Sequence, residues 1–222
     1  MLKVCTILIL LVGTTMIFNA CNNASAAVAI PNPKLDAQLA TTKSQQTAVF
    51  AGGCFWGIEA VFDQVKGVSK AESGYAGGSA NTADYYTVSS GATGHAESVR
   101  VTYDASQITY GQLLKVFFSV AHDPTELNRQ GPDVGSQYRS AIFYRSDEQK
   151  QIAESYIKQL EDAKVFSGKI VTQVDLLKTF YPAEDYHQNY LVNHPNEPYI
   201  VYNDMPKLVN LRKLLPDLCK QR

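Results

Sequence analysis

Between Thr47 and Leu177 the hydrophobic repeat of the chain switches several times between a period of two and one near 3.6, and the order of those switches leaves few folds open. Thr47-Ala48-Val49-Phe50-Ala51 is short and apolar enough for a buried strand. Gly52-Gly53 then turns the chain, and Phe55 to Val65 carries Ile58, Val61, Phe62 and Val65 on one helical face. Val68 to Tyr75 reads as a second strand, ended by Gly77-Gly78, and His95 to Tyr103 as a third that alternates cleanly. A helix is expected from Tyr110 to Ala121, opened by the capping pair Thr109 and Gln112 and stopped by Asp123-Pro124. After a strand from Tyr138 to Tyr144, the pair Ser146 and Gln149 opens a second helix with Ile152, Ala153, Tyr156, Ile157 and Leu160 on one face. Ile170 to Leu177 reads as a further strand and Glu184 to Val192 as a short helix, whereas Pro195, Pro198, Pro206 and Pro216 predict a mostly extended or broken end. The order β-α-β-β-α-β matches a ferredoxin-like split βαβ plait. The expected class is α+β, a mostly antiparallel sheet with packed helices and an irregular C-terminal tail.

With 222 residues and 45% hydrophobic content the chain can bury one sizeable core. Its 20 basic and 21 acidic side chains offer no basic face for nucleic acid or an anionic membrane. After Lys3, the apolar stretch from Val4 to Phe18 has the length of a secretory leader core and is short for a membrane span. Two processing sites compete. Phe18-Asn19-Ala20-Cys21 resembles a lipoprotein box cut before Cys21, and Ala24-Ser25-Ala26 an ordinary site cut after Ala26. The expected division is a leader over residues 1–26, a flexible tether over 27–46 and a domain over 47–222 with a mobile C-terminal tail. The product is expected outside the cytoplasm, in the periplasm or held to a membrane by lipid on Cys21. Either route leaves Cys54 and Cys219 as the thiols of the folded part. Cys219, close to the chain end, suits a resolving thiol better than a static staple.

Cys54 stands where the first strand stops and the first helix begins, between Gly52-Gly53 and Phe55-Trp56-Gly57. A helix N-terminus favours a thiolate, so its pKa is expected below the free value of roughly 8.5, with Phe55 and Trp56 walling a small apolar pocket. Glu97 shares the apolar face of the third strand with Val99, Val101 and Tyr103. Burial there would raise its pKa toward that of a general acid, whereas at a strand end it could instead turn to water. Tyr85 and Tyr86 from one loop, Asp133 from another and Tyr138 at a strand start are polar groups able to converge on the same cleft. His95 and His187 fit structural roles, and no Cys/His/Asp/Glu spacing marks a metal site. Three readings remain on these grounds: a thiol-based enzyme with a buried acid, a cysteine hydrolase using His95 or His187 as base, and a lipid-anchored binding module with a permanent Cys54–Cys219 bridge.

The pieces Gly53-Cys54-Phe55-Trp56-Gly57, Gly74-Tyr75-Ala76-Gly77-Gly78, Gly94-His95-Ala96-Glu97, His122-Asp123-Pro124, Gly135-Ser136-Gln137-Tyr138-Arg139-Ser140 and Ala183-Glu184-Asp185-Tyr186-His187-Gln188 stand in an order that closely resembles the A-type peptide methionine sulfoxide reductases, over roughly residues 47–194. The resemblance implies reduction of the S epimer of methionine sulfoxide, free or in proteins, without metal or organic cofactor. It implies attack by Cys54, proton donation by Glu97, hydrogen bonds from Tyr85 and Tyr138 to the sulfoxide oxygen, and a methyl-binding wall of Phe55 and Trp56. Asp133 matches a further site residue of the family. Cys54 would be left as a sulfenic acid that Cys219 resolves as a disulfide, with thioredoxin, or an exported thioredoxin-like protein, as reductant. The chain is expected to act as a monomer. It departs from family members that carry two recycling cysteines near the C-terminus, since it offers only Cys219.

Overall fold

The computed structural model describes residues 28–221. The leader, with its two processing sites at Cys21 and Ala26, lies outside the described residues. In chain order the elements are β1 (Gln45–Gly52), α1 (Phe55–Asp63), β2 (Val68–Ala76), α2 (Tyr85–Ser89), β3 (Ala96–Asp104), α3 (Tyr110–Val116), β4 (Arg129–Gln130), β5 (Asp133–Val134), β6 (Ser140–Tyr144), α4 (Asp147–Asp162), β7 (Gln173–Leu176), β8 (Phe180–Pro182), α5 (Tyr190–Asn193) and α6 (Met205–Leu214). Six strands form one sheet in the order β7-β6-β1-β3-β2-β8, and β4 and β5 form a separate hairpin. β1 and β2 both run antiparallel to β3, which lies between them, and β6 closes antiparallel on β1. This is the split βαβ plait expected from the run order, extended by β7 parallel to β6 and β8 antiparallel to β2. Among the described residues no helix is long and apolar enough to cross a membrane.

β1 is buried on both faces because its two side-chain sets enter different cores. Ala48 and Phe50 join the main core under the helices, and Val49 and Ala51 join a smaller cluster with Phe143 and Phe180 on the other face. Phe50 stacks between Phe62 of α1 and Phe117, with ring centroids 5.2 and 5.1 Å away. That cluster fixes α1 across the sheet, and Ile58, Val61 and Phe62 of its buried face are fully covered. The Thr109–Gln112 capping box forms in both directions, but α3 keeps α-helical turns only to Val116 and ends in a wider turn over Phe117–Ala121. At α4, Ser146 accepts from the Gln149 amide, while the Gln149 side chain accepts from Arg145 N instead of closing a reciprocal box.

Two expectations are corrected. The segment expected to be a flexible tether lies docked from residue 28 onward. Ile30 is buried, Tyr156 donates to Pro31 O (2.6 Å), and Asp36 accepts from Gly111 N (2.7 Å) and Thr109 Oγ1 (2.5 Å) at the start of α3. Composition records side-chain burial, whereas this segment is held largely through polar and backbone partners. The C-terminal end, expected to be mostly extended or broken, contains α6, because Pro206 sits in the first turn, where a missing N–H breaks no intrahelical bond. Beyond α6 the chain is tied to the end of α1: Lys66 N donates to Leu218 O (2.7 Å), and Lys220 N to Gln64 O (2.8 Å).

Candidate active site

Cys54 is the N-cap residue of α1, and its side chain caps no amide. Gly53 reaches the turn with φ +102°, and a Cβ there would stand 2.6 Å from Gln130 Cγ, so the turn that presents the sulfur requires glycine on both counts. Across from it, Glu97 stands at the start of β3 on the helix-facing side, 2% exposed, and accepts from the Phe55 amide at 3.1 Å. The head of α1 thus carries the thiol at its N-cap and holds the Glu97 carboxyl on the amide of the very next residue, Phe55. Burial, assisted by the charges of Asp133 and Asp204, pushes the Glu97 carboxyl up to about 8 against the pull of the Phe55 amide.

The expected low pKa of Cys54 is overturned. Cys54 is 7% exposed, and burial, followed by the negative charges of Glu97 and Asp204, raises the thiol well above its ordinary range. The Trp56 amide and Lys207 work the other way and are outweighed. At rest the site holds a protonated thiol beside a carboxyl that is largely protonated near neutral pH.

The two polar loops do converge. Arg139 staples them, donating to Gly94 O, His95 O and Ser136 O at 2.9–3.1 Å, and Gln137 Nε2 adds a bond to Ser89 O. Tyr138 and Tyr85 are thereby brought toward Glu97, Asp133 and Cys54, and burial, followed by these charges, raises both phenols. Tyr86, the neighbour that periodicity could not separate from Tyr85, is 86% exposed and points away. Asp133, half-buried on β5, accepts a hydrogen bond from Tyr199. Trp56 is gripped from three sides: Tyr190 stacks on it (centroids 3.8 Å), Tyr199 meets it edge-on (6.0 Å), and its Nε1 donates to His187 Nδ1 (3.1 Å). Phe55 is buried and packs against His187 and Tyr75. The roles of Tyr190, Tyr199, Glu59, Asp204 and Lys207 were not visible in the sequence.

Other arrangements fit this geometry poorly. His95 spends its nitrogens on Gly78 N and Ser79 O, and His187 Nδ1 is taken by Trp56. Among the described residues no histidine is hydrogen-bonded to Cys54, so the hydrolase reading lacks its base. Cys54 and Cys219 are free thiols, and Cys219 pairs in an isolated bridge with Val65 at the opposite end of α1, so the static-bridge reading also fails. Among the described residues no group of three or more His, Cys, Asp or Glu side chains could hold a metal ion.

The family model for peptide methionine sulfoxide reductase matches residues 46–217. Peptide methionine sulfoxide reductase MsrA 2 of Mesorhizobium japonicum is 62% identical over 177 residues, covering 80% of this chain and 91% of that protein. The protein of the same name from Synechocystis is 51% identical over 193 residues, covering 86% and 90%. Among solved structures, reduced Mxr1 of Saccharomyces cerevisiae aligns with a TM-score of 0.61 at 34% identity, covering 73% of this chain and 92% of that one. Methionine sulfoxide reductase A of Corynebacterium diphtheriae aligns at 0.59 and 35%, covering 77% and 89%. With a redox-suited thiol and acid at the head of α1, and with relatives of this identity over most of its length, the chain belongs to the peptide methionine sulfoxide reductase family.

Proposed function

We propose that this protein reduces the S epimer of methionine sulfoxide, free or within oxidised proteins, to methionine. The observation that carries the proposal is the pairing of Cys54 and Glu97 across the first turn of α1, closed by the Phe55 amide. In this reading Tyr85 and Tyr138 hydrogen-bond the sulfoxide oxygen, Phe55 and Trp56 hold the methyl group, and Asp133 orients Tyr199 behind them. As the Cys54 sulfur bonds to the sulfoxide sulfur, Glu97 gives its proton to the oxygen, and the thiol proton restores Glu97. The oxygen then passes to Cys54 as a sulfenic acid: its bond to the methionine sulfur breaks as one to Cys54 forms, and the transient sulfur–sulfur bond breaks with its electron pair left on the methionine sulfur, so cysteine is oxidised by two electrons and sulfoxide reduced by two. Cys219 then displaces the hydroxyl as water, forming a disulfide that a thioredoxin or thioredoxin-like dithiol reduces.

Every group in this scheme comes from one chain, so a monomer suffices. The leader composition supports export, and with it an exported donor and repair of oxidised proteins outside the cytoplasm. Lipid on Cys21 would add membrane attachment. The test is turnover of S-sulfoxide by the purified protein with dithiothreitol, and with thioredoxin, thioredoxin reductase and NADPH. Cys54→Ser should abolish both activities, whereas Cys219→Ser should keep one stoichiometric turnover and lose thioredoxin-driven recycling. Activity retained in Cys54→Ser would refute the proposal.

A further inference from the structure

One buried charge pair has no part in that scheme, and it stands where the C-terminal helix meets the head of α1. Lys207 Nζ donates to Asp204 Oδ1 at 3.0 Å, and the two side chains are 7% and 0% exposed. The pair presses directly on Gly57: a Cβ there would lie 2.1 Å from Asp204 Oδ1 and 2.9 Å from Lys207 Nζ. Gly57 is the third residue of α1 and Cys54 its N-cap, so the turn the charge pair packs on is the same turn that carries the sulfur. The charge pair is therefore a neighbour of the sulfur. An ion pair buried only to fill space gains little over apolar residues of the same volume, and Asp204 Oδ2 is left buried without a hydrogen-bond partner. Packing alone does not account for it.

Cys54 faces Glu97 from β3, Tyr85 from α2, Tyr138 from the turn before β6, Tyr190 and Tyr199 from the α5 region, and Asp204 and Lys207 from the start of α6. Asp133 on β5 faces Glu97 and Lys207, and His122 faces Lys207 from the turn after α3. Lys207 is the one lysine or arginine in this set, and every other member that ionises near Cys54 becomes an anion apart from His122. Burial, the largest single influence, works against an ammonium here, but the Asp204 carboxylate together with the negative charges of Cys54 and Asp133 outweighs it and holds Lys207 above the usual lysine range.

We propose that Lys207 is a positioning residue of the reductase, delivered by the docked C-terminal helix and locked by Asp204 against Gly57 so that its ammonium offsets the charge Cys54 takes on as its proton leaves. The inference rests on the functional reading above for the use of that charge, but its test does not. The pH dependence of Cys54 alkylation by iodoacetamide, resolved by peptide mass spectrometry in the full chain, reads the thiol without methionine sulfoxide. Asp204→Asn should move the midpoint down and Lys207→Met should move it up, each by about one unit, or roughly tenfold in rate at a fixed pH below the midpoint. The double variant Asp204→Asn/Lys207→Met should fall between the two. Coincident midpoints would overturn the proposal. A second measurement leaves the pair intact: the ¹³Cε resonance of Lys207 should show a step at the alkylation midpoint in the parent protein and none in Cys54→Ser. A trace without that step, or with the same step in both proteins, would overturn it as well.

Discussion

At Cys54 the helix end and the protein interior act in opposite directions, and magnitudes decide between them. A helix terminus contributes at most about 2 kcal/mol to a charged group in a partly buried setting, or roughly one and a half pKa units. Full burial shifts a thiol or carboxyl by up to about 3–5 units, and here two carboxyl groups add to it. Burial wins, so the nucleophile is made on demand and the neighbouring acid must hold a proton to spare. Glu97→Gln removes that proton while keeping the acceptor for the Phe55 amide. Single-turnover reduction in this variant should fall by about two to four orders of magnitude, and a near-normal rate would assign the proton to another group. Glu97 should also leave a mark on stability. Its folded pKa of about 8 lies above the ordinary 4.5, so its contribution is complete below about pH 4.5 and is lost as pH rises through about 8. Denaturant titrations across that window should show a shallower decline in Glu97→Gln than in the parent protein. Parallel curves would mean that Glu97 ionises normally in the fold.

The helix α1 does more than present Cys54, because its inner face also holds the wall on which substrate would rest. Glu59, 1% exposed, accepts from Ser73 Oγ (2.8 Å) and from Asn189 N (3.0 Å). Asn189 has a left-handed backbone (φ 55°), and the next residue is Tyr190, which stacks on Trp56. Glu59→Ala leaves the Asn189 amide without its side-chain partner and should let the Tyr190 platform shift. Trp56 is the only tryptophan in the chain, so its emission reports on that wall alone. Glu59→Ala should shift the emission to the red and raise KM for sulfoxide more than it lowers kcat, and Glu59→Gln should restore both. Unchanged emission in Glu59→Ala would remove the clamp. Glu59 also shows where sequence patterning stops. The strands, α1, and the placement of Cys54 and Glu97 were legible because each follows a period or a turn signal that acts locally. Glu59, Tyr190, Tyr199 and Lys207 gain their meaning from partners far along the chain, and a charged residue in a helix reads by default as solvated. The docked segment at 28–44 and α6 were misread for a related reason: Asp36 and Pro206 act through backbone positions that composition does not record.

At the scale of the molecule, the free thiols of the described residues, Cys54 and Cys219, are held apart by the length of α1. Cys54 caps one end and Cys219 bridges to Val65 beyond the other, eleven positions later, or about 16 Å along a helix. A fully extended segment from Leu215 to Cys219 covers four Cα steps, at most about 14 Å, and would have to round the helix surface as well, so undocking those residues alone falls short. Recycling on the proposed route therefore has to break the bonds from Lys66 N to Leu218 O and from Lys220 N to Gln64 O, and to unwind the end of α6, where Leu215 N donates to Leu211 O. The first turn of α6 has reason to stay, since Asp204 and Lys207 are buried against α1. This predicts a division within one helix when the Cys54–Cys219 disulfide forms. Hydrogen exchange on the oxidised protein should show lost protection at Lys66, Leu215 and Lys220, with Leu208 and the body of α1 keeping theirs. Protection unchanged at Leu215 and Lys220 in a protein shown by mass to carry the disulfide would rule out this movement, and loss of protection along all of α6 would place the hinge before Asp204.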